Sequence, residues 1–348
     1  MSESPWSLFK PDGSPFVIAE AGVNHNGDLD LGRRLIDAAA AAGADAVKFQ
    51  TWVPGELTGR FAVNVDYLER GSSGNEDRFE LSRRLCLPLD DFLILQAHCR
   101  EREILFLTTP DGFESLPFVV ETLRVPCLKI GSTELNHLAF LEAAARTGLP
   151  IVLSTGMGTL GEVEEAVDTI RDVSEAELVV LHCTSEYPAP HDEINLRSMV
   201  TIREALQVPV GLSDHSQGPV AAICAVALGA RVLEKHFTLD RSLPGPDHQT
   251  SMEPTEFRDL VTQVRNASVL LGDGRKRPSP SEAKNLSGIR RGLVVTQALD
   301  PGTVLEPGMV AAKRPFVELG PGLLEAVVGM RVNRSMKPDE PLRWDDLR

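Results

Sequence analysis

Several things the chain lacks narrow what it can do. Its 348 residues hold five cysteines, Cys86, Cys99, Cys127, Cys183 and Cys224, and no Cys-x-x-Cys pair. Five thiols leave one unpaired if oxidised, so a reduced, cytoplasmic compartment is the simpler expectation. There is no dense basic run and the formal net charge is −15, which argues against a general nucleic-acid surface. The longest apolar stretch, around 219–230, is too short to span a bilayer and reads as a packed helix, so no membrane association is expected. The first residues, Met-Ser-Glu-Ser-Pro-Trp, show no basic segment followed by an apolar core, hence no secretory signal. Nor does a Gly-x-Gly-x-x-Gly follow the first strand-like run; Gly22 and Gly27 bracket Asn24, His25 and Asn26, a polar loop of a different kind.

What the chain does have is regular alternation. Composition is ordinary for a soluble protein, 42% hydrophobic and 24% charged. Strand-like apolar runs fall near 16–20, 44–50, 104–109, 126–130, 150–154, 178–183, 208–213 and 231–236. Helical patterns fit between and after them, near 29–42, 90–103, 113–123, 137–147, 160–171, 195–206, 217–228 and 254–271. Gly43, Gly148 and Gly229 sit just past helical patterns, where a left-handed C-cap suits glycine. Eight strand–helix repeats predict an α/β fold, a (β/α)8 TIM barrel over 1–272, with a doubly wound open sheet as runner-up. The long connection 51–89, with its polar run at 70–77, reads as a lid or mobile insert. A Gly/Pro/Ser-rich linker, 273–287, leads to a small C-terminal unit, 288–348, whose short apolar pieces are cut by Pro-Gly turns. A unit that small needs a barrel or a second subunit to pack against.

In a barrel the active site lies at the carboxyl ends of the strands, and there the polar residues collect. Side chains repeat every two residues, so Lys48 faces with Gln50 and Glu234 with His236. If these point to the axis, Lys48 and Lys129 enter a cavity with the hydroxyls of Thr109, Ser132, Ser154 and Ser213, a set suited to an anion bearing phosphate and carboxylate. Each lysine alone could instead serve a structural ion pair with Glu20 or Glu234. A buried barrel lysine can also form a Schiff base, as in lysine-dependent aldolases, though two lysines among hydroxyls favour anion binding. His215, in Gly211-Leu-Ser-Asp-His215, and His236, in Glu234-Lys-His236, leave two readings open: ligands of a divalent metal, or two hydrogen-bonded histidines at strand ends.

Eight motifs in order carry a resemblance: Ile18-Ala-Glu-Ala-Gly-Val-Asn-His-Asn-Gly27, Ala46-Val-Lys-Phe-Gln-Thr51, Lys129-Ile-Gly-Ser132 with Glu134, Ser154-Thr-Gly-Met157, His182-Cys-Thr-Ser-Glu-Tyr-Pro188, Gly211-Leu-Ser-Asp-His215, Glu234-Lys-His-Phe-Thr238 and Pro244-Gly-Pro-Asp-His248. Together they resemble the sialic acid synthase family, N-acetylneuraminate and legionaminate synthases among them, and 288–348 resembles the antifreeze-like SAF (β-clip) domain those enzymes carry. The resemblance implies condensation of phosphoenolpyruvate (PEP) with the open-chain aldehyde of an N-acetylmannosamine-like sugar, giving a sialic acid and phosphate. It places Lys48, Thr109, Lys129, Ser132, Ser154, Ser185 and Ser213 at PEP-contacting positions, although some relatives carry asparagine where this chain has Ser185. It makes His215 and His236 ligands of Mn2+ or Mg2+. Glu20, Gln50, Glu134, Tyr187 and Asp247 match positions around the sugar and the reacting centre, with Glu20 and Glu234 as candidate catalytic carboxylates. Arg314 matches an arginine delivered from the partner's small domain, which implies a domain-swapped homodimer. Competing readings are another PEP-dependent sugar-acid synthase, a lysine-dependent aldolase, or a non-catalytic carbohydrate-binding protein. The acceptor stays open among N-acetylmannosamine, its 6-phosphate, mannose and a 2,4-diacetamido-trideoxy sugar.

Overall fold

The computed structural model describes residues 10, 13–59, 62 and 78–348. The polar run at 70–77 and the N-terminal residues 1–6 lie outside the described residues.

Eight parallel strands organise the first unit: β1 (Phe16–Gly22), β2 (Ala46–Thr51), β3 (Leu105–Pro110), β4 (Leu128–Ile130), β5 (Ile151–Ser154), β6 (Leu178–Cys183), β7 (Val210–Asp214) and β8 (Val232–His236). Hydrogen-bonded ladders run in the order β3-β2-β1-β8-β7-β6-β5-β4, and the end strands β3 and β4 adjoin to close the ring. This is the (β/α)8 barrel. The strands are nearly apolar throughout because helices cover their outer faces while side chains fill the axis. Its outer core joins Val17, Phe49, Leu95, Phe140, Val167 and Phe257 with their neighbours; a separate inner cluster holds Phe16, Ile18, Ala46, Leu107, Cys127, Val152, Val179, Leu181 and Val232.

Helices follow the sequence periodicity closely: Leu29–Ala41, Leu89–Glu101, Leu138–Ala145, Leu160–Arg171, Arg197–Leu206, Val220–Ala227 and Pro254–Leu271. Local chemistry sets their ends. Asp28 accepts from the N–H groups of Asp30 and Leu31, and Thr159 with Glu162 forms a capping box, each worth about 1 kcal/mol. Gly43, Gly148 and Gly229 take positive φ just past helix ends. Two elements depart from expectation. The pattern at 113–123 forms a short helix, Ser115–Pro117, running into a π-turn, Phe118–Thr122, where Leu123 N–H reaches back to the Phe118 carbonyl. Within the 51–89 connection, Arg78–Leu85 forms a helix burying Leu81 and Leu85.

The chain divides after Gly272, and Asp273–Arg348 forms a second unit. The run read as a linker carries the helical turn Pro280–Ala283, capped by Ser279 and Glu282, and Leu286–Ile289 follows. Beyond it, β9 (Gly292–Val295) pairs antiparallel with β10 (Val310–Lys313). Isolated bridges such as Val294 with Pro341 and Leu299 with Met336 close a small core of Leu293, Val295, Leu305, Val310, Val332 and Leu342. No described helix is long and apolar enough to cross a membrane.

Candidate active site

Counting by twos along each strand builds the site from the core outward. Ile18, Ala46, Leu107, Cys127, Val152, Leu181, Gly211 and Val232 close the barrel axis. Gly211 contributes no side chain because a Cβ there would stand 2.1 Å from the Val232 carbonyl oxygen. Two residues on, the positions become polar: Glu20, Lys48, Thr109, Lys129, Ser154, Cys183, Ser213 and Glu234. Two further on come Gln50, Asp111, Ser185, His215 and His236. All of these polar residues line one cavity of about 750 Å³, together with Ser132, Tyr187 and Asp247.

The floor is a buried ionic lattice. Lys48 Nζ lies 2.7 Å from Glu20 Oε2 and 3.9 Å from Glu234 Oε2, and donates to Thr109 Oγ1 at 3.0 Å. Lys129 Nζ donates to Ser154 Oγ (2.7 Å) and to the Ile130 carbonyl (3.0 Å), with Glu234 Oε1 3.7 Å away. Gln50 Nε2 donates to Glu20 Oε1 and Ser213 Oγ to Glu234 Oε1, both at 3.1 Å. Burial pushes Glu20 above the usual carboxylate range, Lys48 offsetting this only in part, and the neighbouring Glu234 charge adds to it. Burial opposes ionisation of Glu234 as well, yet Lys129 and Lys48 together hold its carboxyl well below that range. Burial lowers Lys129, while for Lys48 the two carboxylates outweigh burial and raise it. Two neighbouring carboxyls pushed in opposite directions can divide the work, one carrying a proton and the other remaining charged.

One rim is aromatic and imidazole. His215 and His236 have ring centroids 5.3 Å apart; Tyr187 stacks on His215 at 4.1 Å and meets His236 edge-on at 5.3 Å. His215 Nδ1 lies 2.7 Å from the Thr184 carbonyl, which can only accept, so Nδ1 carries a proton and, in the neutral ring, Nε2 keeps its lone pair. His236 Nδ1 is 3.3 Å from Asp247 Oδ2 without hydrogen-bond geometry. Among the described residues no cluster of three or more His, Cys, Asp or Glu is spaced to enclose a metal ion. Two imidazoles, one oriented by a carbonyl, therefore form an open donor set. Such a set fits a divalent cation that completes its shell with water or substrate oxygen.

Several strand-end residues stand elsewhere. His182, though a strand-end histidine, donates from Nε2 to the Ile194 carbonyl at 2.6 Å, on the strand parity opposite to that of the cavity. Lys235 and Asp214 pair at 2.8 Å with Ser216, also off the cavity. His25 is fully buried, its Nδ1 accepting from Gly27 N–H; His248 meets Thr238 Oγ1 at 2.6 Å; His191 contacts the Gln217 carbonyl. Glu134 does not line the cavity; its carboxylate meets His137 Nδ1 at 2.6 Å. Arg314 belongs to the second unit, where its Nε donates to the Ile289 carbonyl at 2.7 Å. Asp111 and Cys183 line the cavity without having been singled out from sequence. For both, the signal was the same two-residue step, from Thr109 past Pro110 and from Leu181.

Comparison with known proteins gives this geometry a family. Residues 35–276 match the NeuB family and residues 290–348 the SAF domain. The N,N'-diacetyllegionaminic acid synthase of Campylobacter jejuni is 39% identical over 94% of this chain and 98% of its own. The synthase of the same name from Legionella pneumophila is 38% identical, covering 97% of both. Among solved structures, the N-acetylneuraminic acid synthetase of Leptospira borgpetersenii aligns with a TM-score of 0.70 at 34% identity, covering 82% of this chain and 94% of that one. The chain belongs to the NeuB family.

Proposed function

We propose that the chain condenses phosphoenolpyruvate with the open-chain aldehyde of a 2-acetamido sugar, forming a nine-carbon sugar acid and releasing phosphate. The observation that carries this is one cavity with a floor of two ammonium groups and several hydroxyls, and above it a rim bearing two imidazoles. PEP brings a phosphate and a carboxylate, which Lys48, Lys129, Thr109, Ser132, Ser154, Ser185 and Ser213 suit as donors. Above it, Gln50, Tyr187 and Asp247 face the space left for the acceptor. The relatives' names favour a 2,4-diacetamido acceptor over N-acetylmannosamine or mannose.

His215 and His236 would hold Mn2+ or Mg2+, which when bound supplies Lewis-acid polarisation of the aldehyde oxygen. The chain's own groups do the rest. The lysines hold PEP so that its C3 meets the aldehyde carbon, and the new C–C bond leaves a cationic centre at C2. Glu234, kept ionised, stabilises that centre. Glu20, whose carboxyl is raised, carries a proton to the former aldehyde oxygen. Water adds at C2 and phosphate leaves as the keto group forms. Arg314 would reach the acceptor from the second unit of a partner copy, completing the site in a homodimer.

Phosphate release from PEP, measured with each candidate sugar after EDTA treatment and metal add-back, tests the reading. Sugar-dependent phosphate with Mn2+ or Mg2+ is expected. None with any sugar under any metal rejects the synthase, and a borohydride-trapped pyruvate adduct at Lys48 or Lys129 would turn the assignment to an aldolase.

A further inference from the structure

Asp111 follows β3 and continues its ladder: its N–H donates to the Thr51 carbonyl at 3.0 Å, one step beyond the Thr51–Pro110 pair. By strand alternation its side chain points with that of Thr109, whose hydroxyl takes a hydrogen bond from Lys48 inside the cavity. Asp111 therefore stands roughly 7 Å nearer the mouth than Thr109, in the tier that carries Gln50, His215 and His236. It lines the cavity and is 8% exposed. The other lining carboxylates are engaged: Glu20 and Glu234 with the lysines, Asp247 beside His236, and Glu186 with a partner of its own. The Asp111 carboxylate makes no hydrogen bond or close ion pair with any described residue. Its oxygens are not among the sealed polar atoms without a partner, so they open to the cavity, and whatever fills it, water or ligand, supplies their donor.

At the floor the groups that face PEP are the lysines and hydroxyls; one tier higher, the molecule presented is the acceptor. We infer that Asp111 is a specificity-determining residue of the acceptor subsite, accepting a hydrogen bond from a hydroxyl or amide N–H of the sugar, its negative charge disfavouring a phosphorylated acceptor. The inference rests on the reading of the cavity as a PEP-dependent synthase. The charged groups facing Asp111 are Lys48 on β2, Glu20 on β1, Lys129 on β4 and Glu134 just after β4. Burial pushes its carboxyl up to about 7, Lys48 and Lys129 pulling down and Glu134 and Glu20 pushing up. Its charge, and with it the acceptor preference, thus develops as pH rises through neutrality.

The test compares wild type with Asp111→Asn, which keeps the shape, and with Asp111→Ala, using PEP with a 2,4-diacetamido sugar and with N-acetylmannosamine for the acceptor KM, and N-acetylmannosamine with and without a phosphate for the preference. Both variants should raise the acceptor KM about tenfold, the scale of one hydrogen bond to a charged group. PEP KM should stay unchanged. The preference for unphosphorylated over phosphorylated acceptor should shrink by a similar factor, and the rise of acceptor kcat/KM with pH through about 7 should flatten. An unchanged acceptor KM in both variants, or an equal rise in PEP KM, overturns the assignment while leaving the synthase standing. A wild type that releases no phosphate with any sugar overturns the synthase, and the Asp111 role falls with it.

Discussion

Lys48 offers the sharpest measure of how the cavity floor is held together. Its ammonium lies 2.7 Å from Glu20, both side chains about 3% exposed or less. At an effective dielectric of about 20 that contact amounts to roughly 6 kcal/mol of Coulomb energy, most of it offset by the desolvation of both ions. Lys48→Met leaves Glu20 buried with only Gln50 as donor, whereas Glu234 keeps Lys129 at 3.7 Å. Breaking one side of such a pair should cost about 3–5 kcal/mol, while Lys48→Met with Glu20→Gln should return to within about 1 kcal/mol of wild type. The pH dependence follows from the direction of the Glu20 shift. Its folded pKa already lies above the reference value of 4.5, and losing Lys48 raises it further. Between those two values the folded chain holds a proton that the unfolded chain has released, so stability falls as pH rises through that window. The penalty in Lys48→Met should therefore grow as pH rises past the wild-type Glu20 pKa and shrink as pH drops toward 4.5. Urea unfolding of the barrel transition from pH 5 to 8 reads both effects. A penalty independent of pH, or a double variant as unstable as the sum of the singles, would refute the ion-pair account.

Three other outcomes can be checked directly. His215→Ala should abolish metal-stimulated phosphate release while PEP binding, followed by calorimetry, largely survives; loss of PEP binding would move His215 to the anion pocket. Arg314→Ala should raise the acceptor KM far more than the PEP KM with the oligomeric state unchanged by light scattering, and equal effects on both would count against it. Burial lowers His25 to about 4, so between the unfolded value of 6.5 and pH 4 only the unfolded chain takes up that proton. His25 should then remove up to about 3 kcal/mol of stability as pH falls across that window, and His25→Gln should show a shallower acid slope; an identical slope would place the acid sensitivity elsewhere.

The barrel was legible in the sequence because each strand is a short apolar run between helical periods and glycine caps, a local signal that survives folding. Much of the cavity was legible for a related reason. From Ala46 to Lys48 to Gln50, or Val232 to Glu234 to His236, the two-residue step carries a strand from packed axis to polar floor to rim, and parity alone says which side chains meet. The illegible parts are those where parity was interrupted or ignored. The apolar run of β3 ends at Thr109, and Pro110 hides that Asp111 continues the inward face. His182, Lys235 and Asp214 sit at strand ends on the opposite parity. A parallel strand is buried on both faces, so a polar residue at its end has two buried places to go: Lys235 forms its own pair with Asp214 against the helices, as well satisfied as Lys48 is at the axis. Residue type therefore does not distinguish a lysine paired against the helices from one lining the cavity; the count from the nearest axial residue does. Glu134 shows the limit of counting, since it lies in the turn Ser132–Glu134, where the period of two has ended and His137, three residues on, captures the carboxylate.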